Sequence, residues 1–182
     1  MAILKVSRLG HPVLRKVAEP VPLEELRSPK MQSFIDDMVE TMREYNGVGL
    51  AATQVHTSKQ IAIIEAEGNP RYPDAPSIPL TVIVNPKMTP LGPEIEEAWE
   101  GCLSIPDLRG KVPRYTAVRL EALNRDGESI DVVARGFFTR VIQHETDHLN
   151  GIVYLDRMKD FSTLAHLAEW SRYWLVGEER DD

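Results

Sequence analysis

The pentad His144-Glu145-Thr146-Asp147-His148 decides how this chain is read, because it closes a run, 137–149, whose apolar residues recur at helical spacing before Asn150-Gly151 stops it. Residues four apart on a helix project from one face, so His144 and His148 can grip a single ion. Glu145 then lies on the rim beside them, where a carboxylate reaches a water on that ion rather than the ion itself. Shuffled chains of this composition carry the pattern roughly once in 80. The pentad by itself is therefore either a metal site or a solvated helix face with an incidental acid. The only cysteine, in Glu100-Gly101-Cys102-Leu103-Ser104, is by itself either a small buried hydrophobe or a third ligand. Three protein ligands with an open position describe a catalytic site, four a structural one, and the sequence offers no fourth soft ligand.

Outward from the pentad the pattern shifts to short β-prone runs separated by turn residues, at 60–65, 80–85, 94–99, 115–123 and 129–134. Asn124-Arg125-Asp126-Gly127, between the last two, reads as a hairpin turn with Gly127 at positive φ, which predicts antiparallel pairing. Ser28-Pro29 opens an earlier helix with a capping hydroxyl and a first-turn proline. Phe34, Ile35, Met38, Val39 and Met42 give that helix a core-facing stripe, and Asn46-Gly47 ends it. Residues 68–79, with Pro70, Pro73, Pro76 and Pro79, read as an exposed loop, and 162–175 as a final helix. Neither an internal repeat nor a second domain boundary is visible. The expected fold is one α+β domain over 1–182, with antiparallel strands packed around a central helix carrying the His-Glu-x-x-His segment and a C-terminal helix.

Composition narrows the function classes. A chain of 182 residues with a formal charge of −7 has no clustered Lys and Arg stripe for phosphate, so a nucleic-acid surface is not expected. One cysteine excludes an intrachain disulfide and suits a reducing compartment. The start lacks the apolar stretch of a secretory signal, and no run is long enough to span a bilayer, so a cytoplasmic protein without a membrane partner is expected.

Three segments, in this order and spacing, resemble the peptide deformylases: Gly47-Val48-Gly49-Leu50-Ala51-Ala52-Thr53-Gln54, Glu100-Gly101-Cys102-Leu103-Ser104 and Gln143-His144-Glu145-Thr146-Asp147-His148. Arg8-Leu9-Gly10-His11-Pro12-Val13-Leu14-Arg15 is also typical of that family, and the resemblance extends to about Met158. It implies a metal-dependent hydrolase that removes the formyl group from the N-formyl-methionine of new polypeptides. It assigns Cys102, His144 and His148 as ligands of one Fe²⁺ per chain, with Zn²⁺, Ni²⁺ or Co²⁺ as substitutes, since a thiolate and two imidazoles suit all four. It also assigns Glu145 as general base and acid, and the Gln54 amide with the Leu103 backbone N–H as donors to the formyl oxygen. Without its flanking signature Gln54 would read as a polar strand or loop residue.

The substrate slot is less legible. Gly47 and Gly49 either let the backbone pass close to a ligand or simply form a tight turn. Val48, Phe137 and Val141 are candidates for an apolar methionine slot or ordinary core. Arg109 either meets a substrate carbonyl or sits in water. Thr146 stands where the family is usually apolar and points away from the His face. Asp147 either orients the site through Arg114 or faces solvent. The acidic end at 177–182 lacks the basic helix with which some bacterial family members dock on ribosomal RNA, so the expected partners are N-formyl-Met peptides and nascent chains, without stable ribosome docking. The enzymatic rival is a zincin-type metallopeptidase, for which Glu169 would be the third ligand and Tyr154 replaces the histidine of the metzincin pattern.

Overall fold

In the computed structural model, which describes residues 2–67 and 76–175, the chain runs α1 (Leu23–Leu26), α2 (Pro29–Glu44), β1 (Gly49–Ala51), β2 (Ile61–Ala66), β3 (Ile78–Pro90), β4 (Ile95–Cys102), β5 (Ile105–Tyr115), β6 (Ala117–Leu123), β7 (Ser129–Arg135), α3 (Gly136–Leu149), β8 (Ala165–His166) and α4 (Leu167–Tyr173). The strands form two antiparallel sheets, ordered β1-β2-β3-β6-β7 and β4-β5-β8. The α+β expectation, with antiparallel strands around a metal-helix candidate, holds.

Around β2 the larger sheet is covered on both faces, which explains the composition there, whereas its last strand, β7, stays largely exposed. Ile61 and Ile63 pair with Val84 and Val82, and all four pack with Ile35, Met38 and Met42 of α2. Ile64 and Ile83 face the other way, onto Val141 and Ile142 of α3. Strands buried on both faces read as continuous apolar runs, as Ile61-Ala62-Ile63-Ile64 does. Each large apolar side chain sealed in this way contributes about 1.5–3 kcal/mol over its exposed state. The Ser28 hydroxyl caps α2 by accepting from the Met31 N–H, and Asn46 turns the chain at φ 50° to end it. The Asn124–Gly127 turn forms as expected, with Gly127 at φ 81° and β6 paired to β7 from Ala117↔Arg135 to Leu123↔Ser129.

Two strands have no counterpart in the sequence pattern, and two expectations are corrected. Strand β5 is absent from the sequence reading because Pro106, Gly110 and Pro113 break its pattern; β8 pairs only with Leu108 and Arg109, so elsewhere β5 has one neighbour and tolerates proline. Strand β1 is too short to show a period. The loop expected over 68–79 lies outside the described residues at 68–75, and its end is strand: β3 begins at Ile78, with Pro79 at a register shift opposite Glu65, where no ladder N–H is required. The helix expected over 162–175 shrinks to Leu167–Tyr173, because Asp160 caps a 3-10 turn at Phe161–Thr163 and Ala165–His166 pair with β5. The acidic end at 177–182 also lies outside the described residues. No helix among those described is long and apolar enough to cross a membrane.

Candidate metal centre and substrate pocket

Cys102 ends β4, and His144 and His148 occupy successive turns of α3, which packs on β1, β2 and β5. Their ligand atoms all lie within 4.8 Å of one another, with Cys102 Sγ 3.2 Å from His148 Nε2, and all three residues are buried. A sulfur and two ring nitrogens converging in this way fit a divalent ion of the Zn²⁺ or Fe²⁺ kind. Glu169, the ligand the rival reading needs, is exposed on α4 and does not belong to this group. Tyr154 is buried and stacks on the His144 ring at 6.2 Å.

A charged network holds one of these three side chains, His144, in place. His144 Nδ1 lies 2.9 Å from Glu100 Oε2; Arg114 grips both Glu100 oxygens at 2.9 and 3.0 Å, and Arg140 adds a third contact at 2.9 Å. Arg114 also reaches Asp147 at 2.5 Å, and Arg157 chelates Asp147 from outside at 2.7 and 3.1 Å. Asp147 is therefore tied to Arg114 rather than facing water. Thr146 lies half-buried off the His face. Burial opposes ionisation of Glu100, but His144 and Arg114 outweigh it and hold the carboxyl well below its usual range. Burial likewise opposes a Cys102 thiolate, yet His148 and His144 hold the thiol well below its ordinary value. For His144, hydrogen bonds to Cys102 and Glu100 overcome burial and draw a proton onto the ring, so a divalent ion and a proton compete there.

Glu145 is buried, its Oε2 takes no hydrogen bond from the described residues, and burial pushes its carboxyl up to about 7. Gly49 makes room for it: a Cβ built there would stand 2.3 Å from Glu145 Oε1. Gln54 is anchored through its Oε1, which accepts from the Ala51 N–H at 2.8 Å, and turns its amide toward Ser104 Oγ at 3.2 Å and Cys102 Sγ at 3.4 Å.

One pocket holds Cys102, His144, Glu145, Gln54 and Leu103 together with all five expected slot residues, Gly47, Val48, Gly49, Phe137 and Val141. Arg109 does not sit in water: it is buried, packed on the Cα of Gly101 and 5.7 Å from the centre of the Trp170 ring. The sequence reading passed over Trp99, Glu100, Gly101 and Arg140, which also line the pocket. Two of these left a signal, since Glu100 shares a strand face with Cys102 at i,i+2 and Arg140 a helix face with His144 at i,i+4.

Comparison with known proteins points to one family. The profile of the family described as Polypeptide deformylase matches residues 3–163. A curated relative, Peptide deformylase 1 of Nitrosomonas europaea, is 48% identical over 158 residues, covering 87% of this chain and 89% of that protein. The class I type b peptide deformylase of Acinetobacter baumannii, solved with Met-Ala-Ser bound, superposes with a TM-score of 0.83 at 43% identity, over 86% of this chain and 99% of that one. A peptide deformylase from Synechococcus elongatus, solved with actinonin, gives 0.78 at 33% identity, over 94% of this chain and 86% of that one.

Proposed function

The chain belongs to the peptide deformylase family, a family of metal-dependent hydrolases that remove the formyl group from N-terminal formyl-methionine, and from that premise we propose that Cys102, His144 and His148 hold its metal and Glu145 moves the protons. The convergence of one sulfur and two nitrogens within 4.8 Å carries this reading. Membership of the family, rather than the donor set, makes Fe²⁺ the proposed native ion, one per chain, since a thiolate and two imidazoles accept Zn²⁺, Ni²⁺ or Co²⁺ equally. When bound, a divalent ion lowers the pKa of a water molecule and polarises the formyl oxygen.

Glu145 takes a proton from the attacking water and returns it to the amine nitrogen as the C–N bond breaks, leaving formate and a free amino terminus; a carboxyl near 7 suits both duties. The Gln54 amide and the Leu103 N–H donate to the oxygen as charge develops on it, each supplying roughly 3 kcal/mol of transition-state stabilisation. β1 and β4 are the outer strands of their sheets and both border the pocket, so an extended peptide can pair its backbone with either edge. Val48, Phe137 and Val141 then receive the methionine side chain. Formate release from formyl-Met-Ala-Ser by Fe²⁺-loaded protein tests the reading, with Glu145→Ala beside it. Equal rates in the two proteins would remove the proposed base.

A further inference from the structure

All three tryptophans of the chain gather at one side of the pocket. Trp99, which lines the pocket from β4, meets Trp174 edge-on at 5.4 Å and Trp170 at 6.1 Å, the latter two projecting from α4 and its C-cap. Lys111, the cross-strand partner of Trp99, places its ammonium 5.5 Å from the Trp99 ring and 5.9 Å from Trp174. Among the described residues the buried indole nitrogens of Trp99 and Trp170 have no hydrogen-bond partner, and the contacts seen at the rings are packing and cation–π.

A strand rises about 3.3 Å per residue, which puts Trp99 about 10 Å before Cys102 along β4. An extended peptide with its formyl carbon at the metal centre reaches that far at its third residue. Building on the deformylase reading, we propose that Trp99 is a specificity-determining residue favouring an apolar side chain at the third substrate position, and that Trp170 of α4 positions it. The C-terminal helix thereby sets peptide preference without touching the reacting atoms.

Kinetics of Trp170→Ala and Trp170→Phe on formyl-Met-Ala-Leu and on formyl-Met amide, which has no third residue, test this. In Trp170→Ala, kcat/KM should fall about three- to tenfold more for the tripeptide than for the amide, through KM, and Trp170→Phe should recover most of the difference. Equal losses on both substrates, or none, would overturn the proposal. Should Trp170→Ala fail to fold, the wild type still decides: all its tryptophan emission comes from this cluster, so the product Met-Ala-Leu should shift it and Met amide should not. An unshifted spectrum at saturating Met-Ala-Leu would also overturn it. If wild-type protein released no formate from either substrate, the deformylase reading itself would fail instead.

Discussion

β4 carries two sites built by opposite means on its two faces. Toward α3 it presents Glu100 and Cys102, buried and surrounded by charge; on the other side stands Trp99, half-buried among rings and cations. Two carboxylates, Glu100 and Asp147, meet three guanidiniums, Arg114, Arg140 and Arg157, and burying such charges costs several kcal/mol each unless all are paired. Both carboxylates are gripped from more than one side, which leaves the ligand geometry little freedom. The aromatic wall has no such constraint, because a changed ring contact leaves no buried charge without its partner. Chemistry at one bond demands the first construction. A groove that must accept many peptide sequences tolerates the second.

Cutting into the charged face should therefore abolish the reaction, and Cys102→Ala is the most severe case. Without the sole thiolate, metal content by atomic absorption should fall to background and formate release with it; a fully loaded, active variant would mean that the ion is held elsewhere. Glu145→Gln comes next and separates binding from chemistry. Turnover should drop about 10²- to 10⁴-fold while the metal stays, as expected for loss of a general base. Gly49→Ala tests how tightly that base is held, since the new methyl would lie 2.3 Å from Glu145 Oε1 and the carboxylate has to move. A misplaced catalytic group costs about 10²-fold, so kcat should fall by that order with KM changed less. Asp147→Asn weakens the grip of Arg114 and Arg157 without touching a ligand. Metal affinity should drop about 10- to 100-fold in a chelator competition, and an unchanged affinity would show that Glu100 suffices to orient His144.

The same contrast governed what the sequence disclosed. Helix α3 was legible because His144, Glu145 and His148 carry chemistry and periodicity at once. Strand β5 was not, since its prolines are tolerated because β8 covers no more than Leu108 and Arg109 and leaves the rest of that edge unpaired, a tertiary fact. That Val48, Phe137 and Val141 line the pocket was legible from their nearness to the motifs, whereas Trp99 was hidden: its ring contacts come from Trp170 and Trp174, some 70 residues later in the chain. Glutamate 169 misled for the matching reason, because spacing along α4 says nothing about which way that helix faces the site. Local pattern reports groups that act within one element, and contacts between distant elements leave no local trace.

The smallest effect should come from the soft face. Lys111→Met keeps the length of the side chain and removes the charge that lies over Trp99 and Trp174. A cation–π contact at a half-exposed position is worth about 0.5–1 kcal/mol, or roughly two- to fivefold in an equilibrium. KM for a tripeptide should rise by no more than that, and the metal content and kcat should stay as they were, because no atom of Lys111 reaches the Glu100 network. A large loss of kcat in Lys111→Met would show that the two faces of β4 are mechanically coupled, and the division of labour argued from its alternating side chains would fail.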